Sequence, residues 1–468
     1  MKRDNRRSRL GNDCEAGALP GNLRIHVFGF MQTDLLLGAV TMRVLNWSRG
    51  VLFAILGIGL VVSVGGAKNE DVSWPQWRGP KRDAVSTEKG LLKEWPENGP
   101  PLAWKADGMG RGYASLAITA GKIFTAGKFD DGEYLLALKL EDGSQLWKVR
   151  IGDATGDGPS STPTTDGDRV FAVGANGDLL CAATDSGKEL WRKSYTKDFG
   201  GNVPTWHYCD SVLVDGEKVI CTPGSEKSTV VALNRATGDV IWQTSIPGGG
   251  GSGFGYSSPV VSQGAKVRQY VQLLGAGTGV VGVRASDGKL LWQYKKVSNG
   301  TASIPTPIVE GNLVFCSSGY GTGSALLELS KDGDGVKADE KYFLNANSLQ
   351  NHHGGMVRIG DYVYCGHRHN EGFPICVELK SGKTVWGGDK RGPGSGSAAV
   401  VYADGKLYFR YQDGLIALID ATPDGYTIKG TFKLPEVGGP SWSHPVVLGG
   451  KLYLREQGTL YVYNVAAK

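Results

Sequence analysis

Apolar and polar positions alternate along this chain in short runs, and Asp-Gly, Ser-Gly or Thr-Gly pairs separate the runs. A period of two predicts strands, and Gly supplies the positive φ that a tight hairpin turn needs. A period near 3.6, the mark of an amphipathic helix, is almost absent. One phrase recurs five times, over residues 137–147, 181–191, 232–242, 282–292 and 376–386. Each copy starts on a small residue, has Gly four places before a closing Trp, and reads as strand, turn, strand.

Successive Trp residues lie 44, 51, 50 and 94 residues apart, and 94 is two periods of about 47, so a copy near residues 331–334 has lost its Trp. A fixed period of this size predicts a solenoid or a propeller, whose units bury their faces only against their neighbours. Two further strand signals precede each phrase. The first is an opener rich in Ser and Pro, such as Ser258-Pro259 or His444-Pro445, and the second is a run such as Gly405-Lys-Leu-Tyr408. Four strands per period make a propeller blade. Openers near Tyr113, Ser160, Trp206, Tyr256, Ile304, His352, Ser395 and Ser441 make eight. The last has three strands, while Leu102-Ala-Trp104 lies 43 residues before Trp147, where an outer strand is due. The predicted fold is all-β: an eight-bladed propeller of four-stranded antiparallel blades over residues 101–468, closed by an N-terminal strand that removes open sheet edges.

Residues 51–64 carry no charge, follow Arg43 and Arg49, and precede Gly65-Gly66-Ala67. That length suits a secretory apolar region better than a membrane span. Residues 1–67 are therefore read as a misassigned start plus a signal peptide from about Met42, and residues 68–100 as a Trp- and Pro-rich extension. The expected location is periplasmic or secreted, with no membrane span in the mature chain. The sequence holds 51 Lys and Arg against 46 Asp and Glu; residues 1–67 carry 8 and 4 of these, leaving 43 against 42. So balanced a chain has no electrostatic footprint for nucleic acid. Six cysteines lie beyond residue 67. Cys209 with Cys221, and Cys365 with Cys376, flank turns, so cross-strand disulfides stand there as an alternative to free thiols.

The phrase small-x5-Gly-x3-Trp resembles the tryptophan-docking repeat of quinoprotein dehydrogenases and of the related eight-bladed propeller lipoproteins that serve outer-membrane barrel assembly. The resemblance implies that Trp104, Trp147, Trp191, Trp242, Trp292 and Trp386 pack against neighbouring blades. Trp74-Pro-Gln-Trp77-Arg-Gly-Pro80 with Arg82-Asp83, Asn351-His352-His353-Gly354-Gly355 and Trp442-Ser-His444-Pro445 are similar to segments of secreted PQQ-like repeat propellers of planctomycete-type bacteria. Catalytic quinoproteins use an adjacent Cys-Cys pair, a calcium held by Glu, Asn and Asp, and an Asp base. This sequence has no adjacent cysteines. The expected function is a binding or scaffold module for an envelope protein or carbohydrate, without a cofactor. The alternative is a PQQ-dependent alcohol or sugar dehydrogenase with calcium. No catalytic residue is assigned, and no Gly-x-Ser-x-Gly elbow suggests a hydrolase.

Strand direction locates the candidate site. In an antiparallel blade the start of the first strand and the end of the second share one face of the disc. His207, His352, His353 and His444 fall at first-strand starts, and His367 and His369 at a second-strand end, so all six share a face with Trp206 and Trp442. Arg111, Arg410 and Arg455 map to the same rim. This face is the predicted ligand- or partner-binding surface. Two readings of its imidazoles stand: a metal site on His353, His367 and His369, or hydrogen-bonded loop residues that fix strand entry, the second favoured because no tight ligand motif is present. The segment 74–80 is expected to pack over the ring's outside or to cap one end.

Overall fold

The computed structural model describes residues 73–250 and 255–467; the expectations for residues 1–67 lie outside them. Eight sheets follow one another along the chain. Their inner strands, which define blades 1 to 8, are Ala117–Thr119, Thr164–Thr165, Leu213–Asp215, Val260–Ser262, Ile308–Glu310, Met356–Ile359, Ala398–Ala403 and Val446–Leu448. Each blade adds antiparallel strands in chain order toward the rim. The middle strands of blade 1, Lys122–Phe129 and Gly132–Lys139, are buried along most of their length because both faces pack on neighbouring blades. Its rim strand, Gln145–Gly152, is mostly open to solvent. Among the described residues the helical content is one 3-10 turn, Gly264–Lys266. In blade 8 the outer strand is Leu102–Ala106, antiparallel to Thr459–Asn464 with Trp104 opposite Val462. The N-terminal strand closes the ring.

The repeated phrase has a geometric meaning. Ala137, Cys181, Ala232, Gly282 and Cys376 each lie directly opposite their phrase's Trp, beside a bulge in the pairing. The Trp then covers the turn glycine of the next blade. A Cβ at Gly187, Gly238 or Gly288 would fall 2.7, 2.9 or 2.5 Å from the rings of Trp147, Trp191 and Trp242, and all three glycines have positive φ. Trp147, Trp191, Trp242 and Trp386 donate their Nε1–H to the carbonyls of Thr184, Arg235, Ala285 and Thr422, one blade on. Trp104 lies against Gly143 in the same way, whereas Trp292 donates to Gln269 within its own blade. Blade 5 lacks the Trp and holds Tyr342 at the equivalent place, opposite Leu326. Its hydroxyl donates to Leu379 O at 2.6 Å and its ring lies against Gly382.

The segment predicted to lie outside the ring or across one end instead fills its axis. Trp74 pairs with Ile118 of blade 1, and Thr165 N of blade 2 donates to Pro75 O. Arg82 donates to Ser211 O at 3.0 Å, entering blade 3, and to Pro259 O at 2.9 Å, entering blade 4. Trp77 Nε1 donates to Thr306 Oγ1 at the entry to blade 5, and Arg78 Nη2 to Met356 O in blade 6. Val85–Ser86 pairs parallel with Tyr402 and Ala403 of blade 7. Glu88 accepts from the amides of Gly449 and Gly450 in blade 8, and Leu92 N donates to Val465 O. Residues 74–92 thus reach all eight blades. Positive φ at Arg78, Gly79, Arg82 and Ala84 folds the segment into turns tight enough for the channel.

One alternative left open by the sequence is decided for free thiols, and one expectation about side chains is corrected. All six described cysteines are free. Cys365 pairs with Ile375 and Cys376 with Tyr364, so the two thiols sit one register step apart on opposite faces of the sheet. Cys221 lies opposite Val231, while the Cys209 thiol faces Trp206 O at 3.3 Å. Arg410 and Arg455 are not rim groups. Arg410 is 0% exposed and paired with Glu456 at 2.7 Å, and Arg455 donates to the carbonyls of Ala114 and Ala126. Both link neighbouring blades from inside, whereas Arg111 does stay exposed, 3.8 Å from Asp157.

Candidate functional site

Above the axial segment lies a cavity of about 410 Å³. Its floor is Trp77, Arg78 and Gly355, and its wall includes Tyr113, Asp157, Tyr256 and Tyr320. Six of the eight residues expected on this face line it: Trp206, His207, His352, His353, Trp442 and His444. A second cavity, of about 420 Å³, opens beneath the segment and is lined by Lys81, Arg82, Glu310 and Arg358. Arg78 lines both, so the segment divides the channel and makes the upper cavity a blind funnel.

Aromatic rings form an arc around the funnel. Tyr113 lies 4.9 Å from Trp442, Trp442 4.8 Å from His353, His353 4.1 Å from His352, and His352 4.2 Å from His369, which contacts Tyr320 at 4.2 Å. Trp77 lies 4.4 Å from His444 at the floor. Trp206 stands at the mouth, 58% exposed. Strand entry explains the placement: His352 and His444 immediately precede inner strands, and His369 sits in the turn after Tyr362–His367 beside two positive-φ residues, Arg368 and Asn370.

The imidazoles differ in what they hold. His352 is fully engaged, with Nδ1 2.8 Å from Ser397 Oγ and Nε2 3.0 Å from Tyr320 Oη. His367 is 1% exposed, and its Nδ1 accepts from the Gln350 amide, so it anchors a loop rather than facing the funnel. His444 Nε2 donates to His353 O at 3.1 Å. Burial, then the neighbouring imidazoles of His353 and His369, pulls the His352 pKa down to about 2. Burial, then His444 and His369, takes His353 to about 3. Burial, then the Arg78 charge, takes His444 to about 3. These rings are neutral at physiological pH. Burial and, secondarily, Asp83 leave Arg78 at about 10, still charged.

No group of three or more His, Cys, Asp or Glu among the described residues is arranged to hold a metal, and His353, His367 and His369 do not gather into one. A calcium-held quinone does not fit the funnel's donor set either. Calcium takes six to eight oxygen ligands, whereas the lining carries one carboxylate, Asp157, placed beside Arg111. The Asp332-Gly-Asp334-Gly run is a hairpin tip, closed by the pairing of Asp332 with Gly335.

Sequence reasoning missed Trp77 and Arg78 as floor residues. The available signal was an unusual segment, two Arg among Trp, Pro and Gly, whose partners lie hundreds of residues away.

Known proteins agree with this architecture. The family model described as outer membrane protein assembly factor BamB matches residues 131–388. BamB of Yersinia pestis is 30% identical over 153 residues, 32% of this chain and 36% of that protein. BamB of Moranella endobia is 30% identical over 296 residues, 59% of this chain and 69% of that protein. Among solved structures, BamB from Moraxella catarrhalis superposes with a TM-score of 0.55 at 14% identity, covering 78% of this chain and 99% of that one. The quinohemoprotein alcohol dehydrogenase of Comamonas testosteroni gives 0.61, also at 14%, covering 85% and 81%. At such identity these two show the fold alone. A family match over more than half of the chain, residues 131–388, together with eight blades in a closed ring, places this protein in the outer membrane protein assembly factor BamB family.

Proposed function

We propose that this protein is an envelope scaffold that binds another protein through the funnel face, rather than an enzyme. The observation that carries the reading is the funnel itself: an aromatic, charge-poor mouth with Trp206 more than half exposed, over a floor fixed by contacts to every blade. Rigid aromatic anchors around a preformed concavity are what protein recognition uses, because they bury much area at little entropic cost. Relatives named for assembly of outer-membrane proteins favour a protein partner over a carbohydrate. The apolar run before residue 67 favours export, and among the described residues no helix is long and apolar enough to cross a membrane. The Trp rows are read as docking between blades, which keeps the scaffold stiff.

Photo-cross-linking from position 206 in an envelope extract tests this. Discrete protein adducts are expected from position 206 and not from position 428, an exposed apolar site on the outer wall. Identical adducts from both positions, or none, would contradict it. Dye reduction with alcohols or sugars after loading with pyrroloquinoline quinone and calcium would reverse the choice of scaffold over dehydrogenase.

A further inference from the structure

The axial segment covers the channel unevenly. It lies backbone to backbone against blades 1 and 7, through Trp74 with Ile118 and Val85–Ser86 with Tyr402 and Ala403. On blades 3 to 6 its hydrogen bonds go to the strand entries, where the side chains of Arg82, Trp77 and Arg78 meet Ser211 O, Pro259 O, Thr306 Oγ1 and Met356 O. The lower ends of those strands are left barer. The inner strands of blades 2 and 8 are buried throughout, whereas no residue of Ile308–Glu310 in blade 5 is buried. Val261 in blade 4 is likewise half-buried. The cavity of about 420 Å³ beneath the segment occupies this gap, so Val261, Ile308 and Val309 give it an aliphatic wall that solvent reaches.

Its charged groups do not balance. Arg78, Lys81, Arg82 and Arg358 line it against Asp83 and Glu310, four cations to two carboxylates. Both carboxylates are engaged: Glu310 accepts from Arg358, and Asp83 Oδ1 accepts from Val85 N at 3.1 Å while its charge acts on Arg78. Lys81 is the unmatched group. It is exposed, and its ammonium has no hydrogen bond or ion pair among the described residues. Local structure presents it to the cavity. Pro80-Lys81 is the corner of a turn closed by Arg82 N to Gly79 O at 3.0 Å and clipped by Gln76 Nε2 to Pro80 O at 2.9 Å. Arg82, the next residue, is anchored to blades 3 and 4, so the turn is fixed and the lysine side chain alone is free to adjust. An excess of positive charge in a concave site draws anions, and a bare aliphatic wall gains from being covered.

We propose that the lower cavity binds an aliphatic carboxylate, with its chain along Val261, Ile308 and Val309 and its head group on the Lys81 ammonium. The volume of about 420 Å³ lies within the roughly 300–1,000 Å³ of small-ligand pockets. The site lies on the other side of the axial segment from the funnel and does not depend on the protein-binding reading of that face.

Calorimetric titration of the full chain with octanoate, octanamide and acetate tests it. Octanoate is expected to bind about tenfold tighter than octanamide, which cannot pair with Lys81, and about tenfold tighter than acetate, which lacks the chain. Octanamide matching octanoate would overturn the role of charge, acetate matching octanoate would overturn the aliphatic wall, and no binding would overturn the site. On labelled wild-type protein the Ile308 methyl resonance should shift with octanoate while the Trp206 indole N–H does not; the reverse would put the ligand in the funnel and contradict the assignment. Lys81→Gln alters a side chain without hydrogen bonds or ion pairs in the fold, and should bring octanoate to the octanamide level, whereas Lys81→Arg should keep the preference. Octanoate affinity unchanged in Lys81→Gln would sink the inference while leaving the scaffold reading intact.

Discussion

At the circumference of the ring, Trp147, Trp191, Trp242 and Trp386 each donate to a carbonyl one blade on, so every contact repeats and joins two neighbours. At the axis, residues 74–92 reach all eight blades from one segment, and no contact repeats. The rim is quasi-one-dimensional, as expected of a repeat protein, and losing one Trp weakens one seam. The axis ties the blades into a single unit. Both regions leave buried polar atoms without hydrogen-bond partners among the described residues, Trp104 Nε1 at the rim and Arg78 Nη1, His353 Nε2 and His444 Nδ1 near the axis. The repeat fixes the seams between neighbours, and the break in it joins all eight blades at once.

The contrast is testable, starting with the largest effect. Trp242→Ala empties a seam in which the ring is 8% exposed and is expected to cost about 3–5 kcal/mol. Arg82→Ala removes the donor to the buried carbonyls of Ser211 and Pro259, while Val212 O keeps Thr164 Oγ1, and should cost about 3 kcal/mol by chemical denaturation. Rim and axis share no partner here, so the double variant should be additive to within about 0.5 kcal/mol; strong coupling would break the division. Gly238→Ala forces a Cβ onto Trp191 at φ +76 and should cost about 2 kcal/mol.

Acid should act at the axis. His352, His353 and His444 stay neutral in the folded state down to about pH 2–3, whereas the unfolded rings take up protons near 6.5. Below 6.5 the unfolded state therefore binds more protons and each ring lowers stability as pH falls, by up to about 1.4 kcal/mol per unit. Asp210 and Glu133 oppose this. Burial raises both to about 7, so each regains stability over the same window. Burial also lowers His367 and His369 and raises Asp178, so five groups pull stability down and three push it up as pH falls, leaving a net fall between pH 6.5 and 4.5. Denaturation midpoints that hold constant or rise over that window would contradict the account. The smallest effect belongs to the Trp-less blade: Tyr342→Phe loses the bond to Leu379 O and should cost about 1 kcal/mol.

Sequence legibility follows the same division. Blade count, strand order and closure by Leu102–Ala106 were readable because each depends on contacts one period away, and the period is written in Trp and Gly. Strand direction placed His207, His352, His353 and His444 at the funnel, but not His367, which burial and the Gln350 amide turn into a loop anchor. The missing Trp was recognised as a lost copy, but Tyr342 as its replacement was not, because the long hairpin of blade 5 moves it past the expected turn at 331–334. Arg410 and Arg455 were misplaced because a charged residue at a strand end reads as solvated until its buried partners, Glu456 and the carbonyls near Thr125, are known. The axial segment stood out by its Trp, Pro and Arg content, but its place was not legible because most of its partners are backbone carbonyls and amides, which carry no sequence signature.

Backbone hydrogen exchange across residues 74–92 tests the central claim, that this segment closes the channel and floors the funnel. Trp74 N donates to Ile118 O, Ala84 N to Arg78 O and Leu92 N to Val465 O, so their exchange should be as slow as that of the inner strand Ala117–Thr119. Exchange of these amides within seconds, beside a protected ring, would show an open channel and contradict the account.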